Sequence, residues 1–327
     1  MKPYVTLKRS LASLAREGRS RLGMRWNRLK VATGSTSGGF FIPYRYAREL
    51  RPPATPYASV EAVFRTGEAG FKALVQAMAT HLPAYRSFGS DPRDPTWGRS
   101  MFPAFDGAAT YTIVRQARPR RIVEIGSGNS TRFIARALRD GGIDCAFTCI
   151  DPAPRLTVAD LGVEQIPRLL AEDDAGLCAA LGPGDILFID SSHILLPGMD
   201  VDIEFNRIFP VLRPGVLVHV HDVFLPFDYP PVMRRWSFSE QNALIGWIVS
   251  GYFDVVFPAY YVRRTQGDLV EAAFAQQFPP IARSGPGSIW LRRAGSAPEA
   301  AAGSGAGSAA GSAAGQPQDQ PRPDRSG

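Results

Sequence analysis

Residues 121–131 read Arg-Ile-Val-Glu-Ile-Gly-Ser-Gly-Asn-Ser-Thr, and the order of apolar residues and glycines in them predicts the type of fold. The stretch opens with a short apolar run, as in a parallel strand that is buried on both faces. Gly126 and Gly128 end the run, and apolar residues at helical spacing follow between Phe133 and Leu138. A strand, a glycine turn and a helix in this order are typical of a nucleotide-binding loop. Glycine lets a ligand approach the backbone, and the helix N-terminus offers free N–H groups.

Two classes of ligand fit such a loop. A dinucleotide site has the pattern Gly-x-Gly-x-x-Gly, and its third glycine would fall at Thr131, which disfavours a nicotinamide oxidoreductase. The other pattern is acid-x-Gly-x-Gly, and Glu124, Gly126 and Gly128 match it. It resembles motif I of class I methyltransferases that use S-adenosyl-L-methionine (SAM). The resemblance implies that the glycines pass the methionine part of SAM and that the strand acid helps to hold it. The chain departs from the motif at residues 129–130, where many members have a third glycine.

A second acid supports the same ligand. Residues 145–150 are predicted as the second strand, and Asp151 follows it, 23 positions after Gly128 (151 minus 128). A carboxylate at this strand end can accept hydrogen bonds from both hydroxyls of a ribose. The alternative for Asp151 is a turn or helix-capping role.

Strand and helix alternate from residue 121 onward, which predicts an α/β fold. We expect a Rossmann-like doubly wound sheet of about seven strands, mostly parallel. The predicted strands are residues 122–125, 145–150, 163–170, 185–190, 216–220, 253–257 and 288–291. The predicted helices are residues 60–82, 110–116, 201–212 with Asp200 as N-cap, and 238–250, and residues 86–105 are predicted to be irregular.

Polar side chains follow the fourth and fifth predicted strands. Asp-Ser-Ser-His occupies residues 190–193, and His-Val-His-Asp occupies residues 219–222. Because the carboxyl ends of parallel strands meet at one edge of the sheet, we expect these side chains to converge beside the glycine loop. Three of the four histidines of the chain fall in these two segments, which points to a functional cluster.

The resemblance extends through these segments. Residues 188–193, residues 218–226 and the Asp-Tyr-Pro of residues 228–230 look like a bacterial branch of class I SAM-dependent methyltransferases. The Phe-Phe-Ile-Pro-Tyr-Arg-Tyr of residues 40–46 and the Phe-Pro of residues 102–103 resemble it too. The resemblance spans roughly residues 40–293, and together with the charge and composition of the two ends it predicts four parts of the chain. They are a basic N-terminal arm and linker (1–39), an N-terminal helical and extended cap (40–110), the SAM-binding methyltransferase domain (111–293) and a disordered tail rich in Ala, Gly and Ser (294–327).

Two mechanisms are open for the polar cluster. In the first, His193 or His221 is the base that takes the proton of the methyl acceptor, with Asp190 beside it. In the second, which catechol-type relatives suggest, Asp190, Asp222 and His221 bind a divalent metal such as Mg²⁺ or Mn²⁺. His221 departs from the oxygen ligands that suit magnesium and would suit a transition metal better. The alternatives are a cofactor-side hydrogen bond for Asp190 and a buried imidazole for His219. The predicted cofactor contacts are Glu124, Gly126, Ser127, Gly128, Asn129, Ser130, Asp151 and Asp190.

Composition and charge exclude several classes of protein. The chain has 327 residues, 45% hydrophobic and 20% charged, which are globular values. Three cysteines are too few for a disulfide framework, and no membrane span or signal peptide is predicted, so we expect a cytoplasmic protein. Residues 1–30 hold nine Lys or Arg and one acid, a local charge of +8 that leaves −1 for the rest (7 minus 8). A nucleic-acid partner for the body is therefore not expected.

The basic arm has two interpretations. Apolar residues at helical spacing in residues 4–30 predict an amphipathic helix in weak contact with an anionic membrane. Gly18 and Gly23 weaken a helix and favour a mobile arm instead, and a transit peptide would have a similar composition.

The functional prediction is O-methylation of a small molecule or sugar by in-line transfer from SAM. The alternative is a non-catalytic SAM-binding scaffold that is tethered by its arm. The sequence leaves the substrate, the accepting atom, the metal and the oligomeric state open.

Overall fold

The computed structural model describes residues 53–98, 102–154 and 159–295, together with Trp26, Leu29, Thr33, Glu49 and Arg51. The chain divides into two compact units, residues 1–54 and 55–327, and the fold below is that of the second unit. Most of the predicted arm and linker, residues 40–46 and the tail from residue 296 lie outside the described residues. Within the described ranges, every helix is too short or too polar to cross a membrane.

Seven strands form one sheet. Their bounds are β1 (Arg121–Ile125), β2 (Ala146–Ile150), β3 (Glu164–Ile166), β4 (Ile186–Ile189), β5 (Leu217–His221), β6 (Phe253–Pro258) and β7 (Ser288–Arg293). The strand order is β3-β2-β1-β4-β5-β7-β6, with β7 antiparallel to both of its neighbours and the other pairs parallel. All four residues of β4 are buried, as expected for a central strand covered on both faces. The predicted Rossmann-like, mostly parallel sheet is confirmed.

Helices cover the sheet. They are α1 (Ala58–Thr66), α2 (Glu68–Thr80), α3 (Leu82–Ser87), α4 (Ala104–Ala117), α5 (Asn129–Gly141), α6 (Asp174–Ala179), α7 (Asp200–Ile203), α8 (Pro231–Arg235), α9 (Glu240–Val249), α10 (Ala259–Thr265), α11 (Gly267–Phe274) and α12 (Pro279–Ala282). A π-helical turn, Glu204–Ile208, and a 3₁₀ turn, Phe209–Val211, continue α7, and another 3₁₀ turn spans Ala159–Leu161.

Three predicted helices have different bounds in the structure. The helix predicted at 60–82 is broken at Gly67, where a Cβ would lie 2.6 Å from the ring of Phe71, and it continues as α2 and α3. The helix predicted at 110–116 begins at Ala104, directly after Pro103, so it takes in part of the segment predicted to be irregular. The segment predicted as one helix at 201–212 changes from α to π to 3₁₀ geometry.

Two local predictions were wrong for reasons of side-chain pairing. The third strand ends at Ile166 and not at residue 170, because the chain turns at Arg168 and the Arg168 guanidinium pairs with Asp174 at 2.8 Å. Asp200 is not the N-cap of α7, since that position belongs to Met199. The Asp200 carboxylate accepts hydrogen bonds from the backbone N–H and the hydroxyl of Ser192, and also from the backbone N–H of Val201 at 2.9 Å.

The aromatic residues of the cap pack on one another and on the end of β5. Trp97 stacks on Phe88 with a centroid separation of 5.1 Å, and its Nε1 donates to the carbonyl of Tyr85 at 3.2 Å. Phe102 is buried, and its ring lies 5.2 Å from the ring of His221. The cap therefore closes one side of the sheet edge at which β5 ends.

Candidate active site

Gly126 joins the end of β1 to the end of β4. Its φ is +86°, a conformation that side chains disfavour, and a Cβ there would overlap the carbonyl oxygen of Asp190. Two backbone hydrogen bonds hold the approach in place: Gly126 N donates to Ile150 O, and Asp190 N donates to Ile125 O, each at 2.9 Å. Glycine is required at residue 126 because the loop and the segment after β4 touch backbone to backbone.

The second glycine of the loop lies in open space. Gly128 has an extended backbone (φ 174°), and, apart from its chain neighbours, no atom of residues 53–98, 102–154 or 159–295 lies within 4 Å of the position that a Cβ on it would take. Its N–H donates to Oγ1 of Thr131 at 2.9 Å. Thr131, which replaces the third glycine of the dinucleotide pattern, is therefore part of the N-terminal cap of α5. The space above Gly128 is free for a ligand.

Glu124 supports the loop from below. Its carboxylate is buried and accepts hydrogen bonds from Ser130 Oγ at 2.7 Å and Cys149 Sγ at 3.0 Å. Burial raises the pKa of Glu124 to about 7 although both donors lower it. The carboxylate therefore holds the start of α5 against β1, and its contact with the cofactor stays a prediction.

Asp151 lies beside the loop at the end of β2. Its Oδ2 accepts from Ser127 Oγ at 2.8 Å, and its Oδ1 accepts from Ala153 N at 2.8 Å. The side chain is partly exposed. The structure thus brings Ser127 and Asp151 together, as expected for two residues on the same side of one ligand, and also shows the turn role that was the alternative.

Asn129 has a contact that the sequence did not suggest. Its Oδ1 accepts from Thr96 N at 3.0 Å, and its Nδ2 donates to Thr96 O at 2.9 Å. The amide therefore ties the irregular segment 91–98 to the start of α5. A cofactor contact by the Asn129 side chain would compete with this pair of hydrogen bonds. The backbone N–H of Asn129 is therefore the better candidate for a contact with the cofactor.

The polar residues after β4 and β5 converge as predicted. Oδ1 of Asp190 lies 3.5 Å from Nε2 of His193 and 3.6 Å from Nδ1 of His221. The two oxygens of Asp222 lie 3.5 Å and 3.4 Å from the same two nitrogens. We call these four residues the His–Asp cluster. Two imidazole nitrogens and two carboxylates thus face a common centre.

The open side of the His–Asp cluster is its carboxylate side. The two imidazoles are buried, whereas 28% of the Asp190 side chain and 19% of the Asp222 side chain are exposed. His193 and Asp222 both have positive φ, +62° and +53°. Such strained conformations of non-glycine residues gather at functional sites. A ligand would therefore reach the cluster past the carboxylates.

Sequence reasoning missed Glu240, the first residue of α9. Its Oε2 lies 2.8 Å from Nδ1 of His193, and its carboxylate is buried. The N–H groups of Ser239 and Glu240 also donate to the carbonyl of His193, at 2.9 and 3.2 Å. The sequence predicted a helix near residue 240, but nothing in the pattern linked its first turn to a residue 47 positions earlier.

A second buried acid lies behind the cluster. Glu204, in the π-helical turn, accepts a hydrogen bond from Ser191 Oγ at 3.3 Å. Burial and the nearby Glu240 raise the pKa of Glu204 well above its ordinary value, and burial also raises the pKa of Glu240. Two buried acids near each other favour a neutral form for one of them.

The charges of the cluster compensate each other. Burial would raise the pKa of Asp190, but His221 and His193 lower it below its ordinary value. Burial would lower the pKa of His193, yet Asp190 and Glu240 raise it. Asp190 and Asp222 likewise raise the pKa of His221 against burial. The site therefore favours positive charge at its centre.

His219 takes no part in the cluster. It is buried, its ring stacks on Phe188 with a centroid separation of 3.7 Å, and Trp290 packs against it at 5.0 Å. Burial lowers the pKa of His219 well below its ordinary value. The interpretation of His219 as a buried imidazole fits these contacts.

A groove of about 560 Å³ lies at the opposite edge of the sheet. Phe71, Leu217 and Arg292 are among the residues that line it. Leu217 is the first residue of β5, whereas His221 is the last, so this groove is not part of the His–Asp cluster.

Residues 123–223 match the family model described as a methyltransferase domain. This match covers 101 of the 327 residues (223 minus 123, plus 1) and makes the segment similar to a methyltransferase domain. The matched segment begins in β1 and ends just after Asp222, so it includes the glycine loop, Asp151 and the whole His–Asp cluster. Glu240 lies outside it. No curated protein matches the chain.

Solved structures resemble this chain at low identity. The SAH-bound methyltransferase PaMTH1 of Podospora anserina is 16% identical, with a TM-score of 0.36 and coverage of 78% of this chain and 99% of that one. The O-methyltransferase TomG of Streptomyces achromogenes, in complex with SAM, is 19% identical (TM-score 0.37; 68% and 90% covered). MycE of mycinamycin biosynthesis, in complex with Mg, SAH and mycinamycin VI, is 17% identical (TM-score 0.31; 55% and 47% covered). At these TM-scores the likeness carries no argument about the activity of this chain.

The donor set of the cluster does not suit magnesium. Mg²⁺ demands octahedral coordination by oxygen and usually keeps several waters. Here two of the inward-facing groups are imidazole nitrogens, from His193 and His221. The structure brings Asp190, Asp222 and His221 together, and the predicted Mg²⁺ or Mn²⁺ site stays a prediction in which the imidazole nitrogens favour Mn²⁺ or another transition metal over Mg²⁺.

Proposed function

We propose that this methyltransferase transfers the methyl group of SAM to an oxygen atom of a small molecule or sugar. One observation carries the proposal: the backbone contact between Gly126 and Asp190 joins the cofactor loop to the His–Asp cluster. A methyl donor bound above the loop and an acceptor bound at the cluster would both lie next to Asp190. That is the proximity that a direct transfer between two bound reactants needs.

The loop supplies the proposed cofactor half of the site. The open space above Gly128 and the N-terminus of α5 would receive the methionine part of SAM. Asp151, partly exposed at the end of β2, would accept hydrogen bonds from the ribose hydroxyls, with Ser127 holding its other face. Glu124 and Ser130 would act from below by fixing the start of the helix.

The cluster supplies the proposed acceptor half. In the transfer, the acceptor oxygen forms a bond to the methyl carbon as the bond from that carbon to the sulfonium sulfur breaks. The products are a methyl ether or ester, S-adenosylhomocysteine (SAH) and one proton. Asp190, His193 and His221 are the proposed catalytic residues. Without an ion, their carboxylate and imidazole groups can take the acceptor proton; with a metal ion bound, they would be its ligands and the ion would make the acceptor hydroxyl easier to deprotonate. The exposed side of Asp190 is where the acceptor hydroxyl would enter.

Formation of SAH with matched sets of acceptors tests this proposal. The full chain is incubated with SAM and with small molecules that carry a hydroxyl, an amine or a thiol on the same skeleton. We expect SAH with the hydroxyl compounds and a loss of at least about 100-fold in Asp190→Asn. His81→Ala is the matched control, because His81 packs against Tyr111 away from the cluster. Turnover with amines or thiols alone would contradict the assignment to oxygen.

A further inference from the structure

We propose that the His–Asp cluster binds one first-row transition metal ion of the zinc or cobalt kind and not magnesium. The inference deepens the proposed function and rests on it only for placing the ion next to the methyl acceptor. It reassigns His193, which the sequence suggested only as a base, to the set of metal ligands. It also gives Glu240 a role as a positioning residue.

The spacing of the donor atoms supports the ion. The four nitrogen–oxygen separations in the cluster are 3.4, 3.5, 3.5 and 3.6 Å, longer than good hydrogen bonds. Ligands on a tetrahedron around Zn²⁺, with bonds of about 2.1 Å, lie about 3.4 Å apart. Ligands on an octahedron around Mg²⁺, with bonds of about 2.1 Å, lie about 3.0 Å apart. The four carboxylate–imidazole separations are closer to the tetrahedral spacing than to the octahedral one.

The donor types support the same ion. Asp190, His193 and His221 each offer one ligand atom, and these atoms lie within 4.8 Å of one another. Two imidazoles and a carboxylate form a mixed set that suits zinc and its neighbours. Three protein ligands leave one position open, which is the arrangement of catalytic metal sites. Asp222 directs one oxygen toward each imidazole nitrogen, so it can add a ligand or balance charge.

Glu240 completes the site from behind. A metal-bound histidine usually donates its other ring N–H to a carboxylate, which fixes the tautomer and the ring orientation. Glu240 Oε2 stands 2.8 Å from Nδ1 of His193, so the lone pair of Nε2 is left to face the centre. The backbone N–H groups of Ser239 and Glu240 also donate hydrogen bonds to the carbonyl of His193, which fixes the backbone of this residue as well as its ring.

Cobalt absorption tests the inference on the full chain. The protein is stripped with a chelator and titrated with Co²⁺, whose visible spectrum reports a site of low coordination number. We expect one equivalent to bind with an intense visible band, Zn²⁺ to displace it, and Mg²⁺ in large excess to leave it unchanged. A wild-type chain with no saturable band, or with a band that Mg²⁺ removes at concentrations similar to Zn²⁺, would overturn the inference.

Variants locate the ion. His193→Ala and His221→Ala should abolish the band, while His81→Ala, the one histidine outside both segments, should keep it. Glu240→Gln should retain the band but weaken binding in Zn²⁺ competition by about 10- to 100-fold. Circular dichroism of each variant checks that it folds. Equal loss of the band in His81→Ala and His193→Ala would place the ion elsewhere and overturn the inference.

Calorimetry of the stripped chain with SAM separates the two proposals. SAM binding without a cobalt band would overturn the metal site and leave the proposed function intact. A cobalt band without SAM binding would overturn the proposed function and leave the metal site standing.

Discussion

Oε2 of Glu240 lies 2.8 Å from Nδ1 of His193, and both side chains are buried. This contact ties the start of α9 to the segment that follows β4. It brings a helix from the last third of the chain to the edge at which the glycine loop and the His–Asp cluster meet. The orientation of His193, and with it the direction of Nε2, therefore depends on a residue outside the segment that matches the methyltransferase family model.

The first prediction concerns the stability of this pair. Glu240→Ala should lower the free energy of unfolding by about 3–5 kcal/mol, because it leaves the buried imidazole without its carboxylate partner. Urea unfolding of the metal-free chain measures the change. The control is Glu271→Ala, which removes an exposed carboxylate paired with Arg263 and should cost less than about 1 kcal/mol. Equal losses in the free energy of unfolding for the two variants would show that the Glu240–His193 pair stabilises the fold no more than an exposed ion pair does.

The second prediction concerns pH and Glu124. Burial raises its pKa from 4.5 to about 7, so the folded chain keeps a proton that the unfolded chain releases between these values. The stabilisation from this proton is complete below pH 4.5 and is lost as pH rises through about 7. Glu124→Gln cannot titrate, so its stability relative to wild type should rise across this window by about 3 kcal/mol at most. Urea unfolding of both proteins at a series of pH values gives the difference, and parallel stability curves would refute the prediction.

The third prediction separates the two glycines of the loop. Gly126→Ala should destabilise the fold by at least about 1–3 kcal/mol, because its Cβ overlaps the Asp190 carbonyl and its φ is positive. Gly128→Ala should leave stability within about 0.5 kcal/mol, since its Cβ enters open space. That same Cβ occupies the space proposed for SAM, so SAM affinity should fall in a chain that is otherwise intact. Thermal unfolding and SAM titration of both variants check the two halves, and an unchanged SAM affinity in Gly128→Ala would argue against a ligand above this residue.

The fourth prediction concerns Asn129. Asn129→Ala removes both hydrogen bonds to the backbone of Thr96 and should cost about 1–3 kcal/mol of local stability. Hydrogen exchange at the Thr96 amide should therefore speed up. Asn206→Ala is the control, because Asn206 binds only an exposed carboxylate of its own helical segment. Unchanged exchange at Thr96 would mean that the aromatic packing of Trp97 holds this segment without the amide.

The sequence predicted what local patterns encode. The apolar runs and glycine turns located the strands, and the rule that ligands bind beyond carboxyl strand ends brought Asp190, His193, His221 and Asp222 to one place. Contacts between distant parts of the chain were not predictable. In the sequence, Glu240 is an ordinary residue of a first helical turn, and Asn129 is a loop residue next to the predicted cofactor site. In the structure, Glu240 contacts His193 and Asn129 contacts Thr96, each a residue far away along the chain.

The prediction errors have the same cause. The third strand was predicted too long because the pattern could not show that Arg168 turns away to pair with Asp174. Asp200 was predicted as a helix cap because its type and position suit one, but Ser192 occupies its carboxylate. In both places a side-chain pair overrode the local preference.

Calorimetric titration of the purified full chain with SAM and with SAH tests the central claim most directly. We predict that SAM and SAH each bind with one-site stoichiometry. This binding should be lost in Asp151→Ala and retained in Asp254→Ala, whose carboxylate is about half exposed on β6 and pairs with Arg292. Absence of heat with both ligands, or SAM binding that is unaffected by Asp151→Ala, would contradict the account of the glycine loop and Asp151 as the cofactor site.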